Sequence, residues 1–114
     1  MKLNKYENIL IDILKHNKNY FISSYQICIF LKSEHENIWN DIENEYGTME
    51  DKPDIGAGAG QTYTPSQYIA KALDFLTKKH PEITKELMIS TDITYKNFEP
   101  GFTRKKMAIW AWKE

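Results

Sequence analysis

The chain has 114 residues, of which 41% are hydrophobic and 27% charged, and this length and composition fit one folded domain rather than a disordered segment. Its one cysteine, Cys28, excludes an intramolecular disulfide and fits a reducing compartment. No apolar run is long enough for a signal peptide or a membrane span, so we expect a cytoplasmic protein.

The net charge is −1, but the charges are unevenly distributed along the chain. Residues 33–63 carry eight acidic residues and one lysine, whereas the segments before and after them each carry a net charge of +3. This distribution predicts two surfaces of opposite sign, a basic one suited to nucleic acid and an acidic one suited to a basic protein. A charged helix and loop that only contact water would produce the same acidic segment.

The first helix is predicted over residues 4–16 by apolar residues that recur at the helical spacing. Asn4 and Glu7 have the spacing of a capping pair at its start. The aromatic and β-branched residues 20–22 that follow favour a short extended segment. The chain is therefore expected to begin with a helix and a short strand.

A second helix is predicted over residues 24–32 and a third over residues 33–46, again from apolar spacing. Ser33 and Glu36 match a capping box at the start of the third helix, and Gly47 suits a left-handed cap at its end. The third helix contains five of the eight acidic residues of the acidic segment.

Residues 47–63 contain four glycines and few large apolar side chains, which predicts a long loop. The glycines of residues 56–60 stand just before a helix, as they do in loops that bind phosphate. Neither glycine-rich phosphate-binding pattern is complete, however, and no strand precedes these glycines. We therefore expect a connector rather than a nucleotide site.

A fourth helix is predicted over residues 65–79, where the local signals are strongest. Thr64, Pro65 and Gln67 combine an N-cap, a proline in the first turn and a capping-box partner. Pro81 ends the helix. The helix should bury one apolar stripe, formed by Tyr68, Ile69, Ala72, Leu73 and Leu76.

Two strands are predicted near the C-terminus. From Leu87 the apolar period changes from 3.6 to two, which predicts a half-buried strand over residues 87–95. The apolar and aromatic residues of 106–113 predict a returning strand, and residues 99–101 have the composition of a turn. We expect the two strands to pair as an antiparallel hairpin.

The order of helix, extended segment, helices and C-terminal hairpin resembles that of the winged helix-turn-helix superfamily, through architecture and not through a sequence motif. The resemblance implies an α+β, winged-helix-like fold over residues 1–114, with three to four helices before the hairpin. It also implies that helix 65–79 is the recognition helix and that the hairpin tip is the wing. The acidic helix and glycine-rich loop of residues 33–63 would be an insertion in this single domain.

The resemblance implies non-catalytic binding of duplex DNA by the recognition-like helix and the basic wing. Gln67, Lys71 and Lys78 share the face of the helix opposite its apolar stripe, where Gln can read adenine and Lys can reach a guanine or a phosphate. Asp74 on the same face opposes phosphate, and a solvated face on which Lys71 pairs with Asp74 is the alternative. The wing residues expected to contact nucleic acid are Lys96, Arg104, Lys105 and Lys106.

The basic cluster at the wing has a second explanation, because charged residues at a hairpin tip keep an edge strand soluble. Arg104 is the only arginine in the sequence. Since arginine provides the commonest specific base contact, we expect DNA binding to rely on phosphate contacts rather than on tight reading of sequence.

The alternative function is protein–protein interaction through the acidic segment, as in a small phage or mobile-element inhibitor of a host complex that handles nucleic acid or provides defence. Such an anti-CRISPR-like protein would present carboxylates as a mimic of DNA. Trp110 and Trp112 share one face of the last strand; exposed, this pair would mark an interface, and buried, it would belong to the core. The residues expected at such an interface are Glu34, Glu43, Glu45, Asp51, Trp110 and Trp112.

The sequence contains no pattern of catalytic or metal-binding residues. His16, His35, His80 and Cys28 are scattered without the spacing of metal ligands. We therefore expect no enzyme activity, cofactor or metal. The sequence leaves the oligomeric state open, with a homodimer among the options.

Overall fold

The computed structural model describes residues 2–47, 64–89 and 106–114. Within them, four helices and a three-stranded antiparallel sheet confirm the α+β class. The elements are α1 (Glu7–His16), β1 (Ile22–Ser23), α2 (Ser24–Glu34), α3 (Glu36–Tyr46), α4 (Pro65–Lys79), β2 (Ile83–Ile89) and β3 (Lys106–Trp112). Residues 48–63, which are all but the first residue of the predicted loop, and residues 90–105, which include all of the predicted wing except Lys106, lie outside the described residues.

The fourth helix begins and ends where the sequence predicts, because its first turn satisfies its backbone donors locally. Thr64 Oγ1 accepts a hydrogen bond from the N–H of Gln67 at 3.3 Å, and Gln67 Oε1 accepts one from the N–H of Thr64 at 2.9 Å. Pro65 occupies the first turn, where its missing N–H costs nothing. The predicted stripe is buried throughout, at Tyr68, Ile69, Ala72, Leu73 and Leu76.

The predicted capping box at Ser33 is wrong. The N–H of His35 still bonds the carbonyl of Leu31 at 2.8 Å, so α2 continues through Glu34 and Ser33 lies inside it. His35 precedes α3 without a side-chain cap. The capping box of this region belongs instead to α2, where the Ser23 hydroxyl accepts from the N–H of Gln26 at 3.2 Å.

The predicted capping pair of Asn4 and Glu7 is also absent from the described contacts. Helix α1 begins at Glu7, and Tyr6 before it provides no side-chain cap. The Glu7 carboxylate bonds the far end of α4 instead, with Lys79 Nζ at 2.9 Å and His80 Nε2 at 3.2 Å. These hydrogen bonds hold the pKa of Glu7 below its usual value, and the bond from Lys79 has the larger effect, followed by that from His80. The side chain that could have capped its own helix therefore connects α1 to α4.

The sheet has the strand order β1-β3-β2. Strand β3 pairs antiparallel with β2, with Ile83 opposite Trp112 and Ile89 opposite Lys106, and it pairs antiparallel with β1, with Ile22 opposite Trp110. The predicted antiparallel partner of β3 is thus confirmed. The two C-terminal strands do not form a free-standing hairpin, because the short extended segment predicted after α1 joins them as a third strand.

Strand β2 differs from its prediction in position and burial. It begins at Ile83, four residues before the predicted start at Leu87. Only Ile83 is buried, whereas Leu87 is 62% and Ile89 73% exposed. The alternation that predicts one buried face is present in the sequence, but the far end of the strand extends beyond the cover of the helices.

The core lies between the helices and the face of the sheet that carries Trp110 and Trp112. All four helices contribute to it. The acidic helix α3 adds Trp39, Ile42 and Tyr46, and the Tyr46 ring stacks on Tyr68 of α4 with centroids 4.6 Å apart. The helix that the resemblance makes an insertion therefore shares one core with the rest of the domain.

Two alanine substitutions separate the observed helix starts from the predicted ones. Thr64→Ala removes the acceptor that caps α4 and should lower the free energy of unfolding by about 1 kcal/mol. Ser33→Ala should change it by less than about 0.5 kcal/mol, because Ser33 is exposed within α2 and bonds only the adjacent Glu34 carboxylate in the described contacts. Urea unfolding of the two variants measures both values, and a costly Ser33→Ala would restore the predicted cap.

Candidate nucleic-acid interface

Helix α4 presents two lysines and an aromatic ring on its exposed face. Lys71, Phe75 and Lys78 follow one another at i, i+4 and i+7, so they lie along one line of the helix. Both lysines are exposed, and Phe75 between them is 38% exposed. We refer to Lys71, Phe75, Lys78 and the neighbouring Lys85 of β2 as the α4–β2 surface.

Asp74, the one acidic residue of α4, is paired with a strand and not with its own helix. Lys85 Nζ of β2 lies 2.9 Å from Asp74 Oδ1 and 5.7 Å from the centre of the Trp110 ring. The pairing of Lys71 with Asp74, one alternative from the sequence, is replaced by this contact. Both partners are partly exposed, so the pair contributes about 0–1 kcal/mol to stability. Its larger effect is to offset the charge that would repel phosphate from this face.

Gln67 takes a different role from the one predicted for its face of the helix. It is partly buried, and its side-chain oxygen accepts the N–H of Thr64 in the helix cap. Bidentate reading of adenine requires both the oxygen and the nitrogen of the amide. Base reading by Gln67 would therefore compete with the cap that starts α4.

The relative direction of α4 and β2 indicates on which side of the Asp74–Lys85 ion pair Lys106 lies. The two elements contact each other and are joined by residues 80–82 alone, so they run in opposite directions. Residues before Asp74 in α4 therefore lie on the same side of the ion pair as residues after Lys85 in β2. Exposed Lys106, opposite Ile89 at the start of β3, is on the same side as Lys71.

Only some of the residues predicted to contact nucleic acid lie within the described structure. Lys71, Lys78 and Lys106 are exposed in the described structure, whereas Lys96, Arg104 and Lys105 lie outside it. Sequence reasoning missed Lys85 and Phe75. The apolar alternation does not mark Lys85, because this charged residue interrupts it between Ile83 and Leu87.

A second charged surface of opposite sign lies on α3 and the end of α2. Helix α3 has four acidic residues and no basic one. Glu34 and Glu45 are exposed and Glu43 is partly buried, while Asp51 lies outside the described residues. Asp41 is engaged by the N-terminal segment: Tyr6 donates its phenol O–H, Lys5 Nζ lies at 3.2 Å, and these bonds hold the pKa of Asp41 below its usual value.

The predicted tryptophan interface is replaced by the core alternative. Trp110 is 1% exposed and Trp112 is 7% exposed. The cause is the position of β3, which is the central strand and packs against α1. Lys15 Nζ of α1 lies 4.8 Å from the centre of the Trp112 ring, and His80 contacts the same ring. An interface of exposed tryptophans is therefore a wrong expectation for this fold.

The described residues contain neither a metal-binding cluster nor a membrane-spanning helix. Among them, no group of three His, Cys, Asp or Glu side chains could hold a metal ion. None of the helices in these ranges is both long and apolar enough to cross a membrane. Comparison of the chain with protein-family models, with curated proteins and with solved structures finds no significant match.

Burial of the tryptophans has a direct optical consequence. All three tryptophans of the chain, Trp39, Trp110 and Trp112, are buried. We expect iodide to quench the tryptophan emission of the folded protein only weakly. On unfolding, the emission should shift to longer wavelength and iodide should quench it strongly. Strong quenching of the folded protein would contradict the burial of the pair on β3.

Proposed function

We propose that the chain binds duplex DNA, without catalysis, through the α4–β2 surface. The observation that supports this most is the ion pair between Asp74 and Lys85. It neutralises the one carboxylate of α4 and leaves Lys71 and Lys78 to dominate the exposed face. A face of this kind attracts phosphate, and Phe75 between the lysines offers apolar contact of the kind that a thymine methyl accepts.

The arrangement of elements around this surface agrees with the winged-helix proposal. A fully packed helix, α4, precedes two antiparallel strands, and the segment between those strands carries Lys96, Arg104 and Lys105. In helix-turn-helix proteins the corresponding helix enters the major groove. We therefore propose α4 as the recognition helix and the segment after β2 as the wing.

The side chains on the surface favour contacts to the DNA backbone over reading of bases. The described cations of the α4–β2 surface are all lysines, which act on phosphate as point charges, and the amide oxygen of Gln67 is used in a cap. Phosphate contacts position a protein on DNA but carry no sequence information. The binding we propose is accordingly dependent on salt and weakly dependent on sequence.

A second candidate function rests on the acidic surface of α3. Three glutamates of α3, namely Glu36, Glu43 and Glu45, resemble in charge the phosphates of DNA, and Glu36 and Glu45 are exposed. The fourth carboxylate, Asp41, is held by Tyr6 and Lys5. Such a surface suits a basic protein partner, as in a small inhibitor of a host nucleic-acid-handling or defence complex. This interaction would leave the α4–β2 surface unused.

Opposite charge changes on neighbouring positions of α4 should have opposite effects on DNA affinity. Lys71→Glu should weaken binding to all duplex sequences alike, and it should flatten the dependence of log affinity on log salt by roughly one unit per lost contact. Asp74→Asn should strengthen binding, because Lys85 is released from its partner. Fluorescence anisotropy over a series of salt concentrations measures both.

Lys32→Glu is the matched control, since it makes the same charge change at an exposed position of α2. It should have a smaller effect than Lys71→Glu at every salt concentration. Equal losses for the two variants would show that net charge alone is responsible, and absence of binding at low salt would exclude the proposed function.

Charge reversal on α3 separates the two candidate functions. If α4 binds DNA, Glu43→Lys with Glu45→Lys should leave DNA affinity unchanged or raise it. If α3 is the working surface, the same reversal should abolish capture of a basic protein partner, while Lys71→Glu has little effect. Parallel titrations of both variants against duplex DNA and against the captured partner give the answer.

A further inference from the structure

Strand β2 lies at one edge of the sheet that the described residues form. Strand β3 has a neighbour on each side, whereas β2 has β3 as its only strand neighbour among the described residues. Three consecutive apolar residues at the far end of this edge strand are exposed, namely Leu87, Met88 and Ile89. An edge of this kind offers unpaired backbone donors and acceptors together with apolar side chains.

Strand β2 has few of the features that usually prevent an edge strand from pairing with another strand, such as proline, a bulge or unpaired charged side chains. Its sequence has no proline or glycine, and its antiparallel register with β3 runs without interruption from Ile83 to Ile89. Of its two charged residues, Lys85 is held by Asp74 on the helix side, and Glu86 points to the opposite face of the sheet. Among the described residues, no strand pairs with this edge, so it can accept another strand.

The charge of β2 indicates what kind of strand fits. One lysine and one glutamate give residues 83–89 no net charge, so the edge does not select a basic or an acidic peptide. A nucleic acid would find apolar side chains and a carboxylate along it. A second copy of β2 matches both properties, because it is equally apolar and equally neutral.

Cross-strand charge selects one register for two copies of β2. Pairing centred on Glu86 would align all seven residues but would place Glu86 directly opposite Glu86 of the second copy, and like charges in that position destabilise a sheet. Moving the centre to Leu87 removes this repulsion. It places Leu87 opposite Leu87 of the second copy, Glu86 opposite Met88, and Lys85 opposite Ile89.

We propose that two copies of the chain associate through antiparallel pairing of their β2 strands, centred on Leu87. The sheet becomes continuous across the two copies, and the exposed apolar residues of each edge strand are covered. Residues directly opposite one another share a face of the sheet, so the α4 helices of both copies lie on the same side. Pairing of one short strand buries less than the roughly 1,200–2,000 Å² of a stable interface, so the association is weak, on the order of micromolar or weaker.

Sedimentation velocity from about one micromolar to several hundred micromolar tests the association without DNA. The unaltered chain should shift from monomer to dimer as its concentration rises. Leu87→Lys should abolish the shift, because it sets two lysines against each other at the centre of the pairing. Tyr20→Lys is the control: Tyr20 is also a highly exposed apolar residue, but it lies outside the sheet and should leave the dimer unchanged.

A disulfide tests the register. Directly opposite residues of antiparallel strands have Cα atoms about 4.5–5.5 Å apart, which is within the span of a disulfide. Leu87→Cys should therefore cross-link two copies under mild oxidation, whereas Tyr20→Cys should not, and buried Cys28 should not react in either variant.

A chain that stays monomeric over the whole range, or a dimer that survives Leu87→Lys, would overturn the proposed pairing. Loss of DNA binding in Leu87→Lys without any dimer in the unaltered chain would also overturn it, and would assign the apolar edge to the DNA surface. A monomer that binds DNA normally would leave the proposed function standing.

Discussion

The pairing of β3 with both β1 and β2 is the constraint on which the rest of this structure depends. Strand β3 lies near the C-terminus, yet it fixes the segment after α1 and the segment after α4: Trp112 accepts a backbone hydrogen bond from Asn19 at 2.8 Å, and Lys113 donates one to Glu82 at 2.8 Å. Asn19 reaches its partner with a φ of 68°, in the left-handed region that Asn tolerates better than most residues. With both connections fixed, Trp110 and Trp112 are held beneath the helices, and two large aromatic side chains are removed from water.

The charge of the α4–β2 surface follows from this arrangement. Because β2 returns antiparallel to α4, Lys85 reaches Asp74, and a helix face with a mixed charge becomes a face on which lysine dominates. The pair is exposed enough to add little stability, so its main consequence is electrostatic. The carboxylates of α3 lie on a separate helix, whose apolar side joins the same core. One domain thus presents a basic and an acidic surface that can be tested independently.

The sequence predicted best where a local pattern decides the structure. The bounds of α4 follow from the Thr64 capping box and the apolar stripe, both of which are set by residues within one or two turns. The capping box predicted at Ser33 is wrong because α2 has not yet ended there. The hydrogen bond from the N–H of His35 to the carbonyl of Leu31, which continues α2, is not visible in the sequence pattern. Exposure of Leu87 could not be predicted either, because alternation shows that a strand has two faces but not how far the helices cover it. Tertiary placement also decides which carboxylates are paired, and no spacing in the sequence relates Asp74 to Lys85.

In the proposed function, duplex DNA binds to one surface, the α4–β2 surface. The most direct test is to record the backbone amide shifts of the isotopically labelled chain by NMR while duplex DNA is added at low salt. If the proposed function is right, the shift changes concentrate on the exposed face of α4 around Lys71 and Lys78 and on β2 around Lys85, and α3 changes little. Shifts that concentrate on α3, or spectra that do not change on addition of DNA, would contradict it.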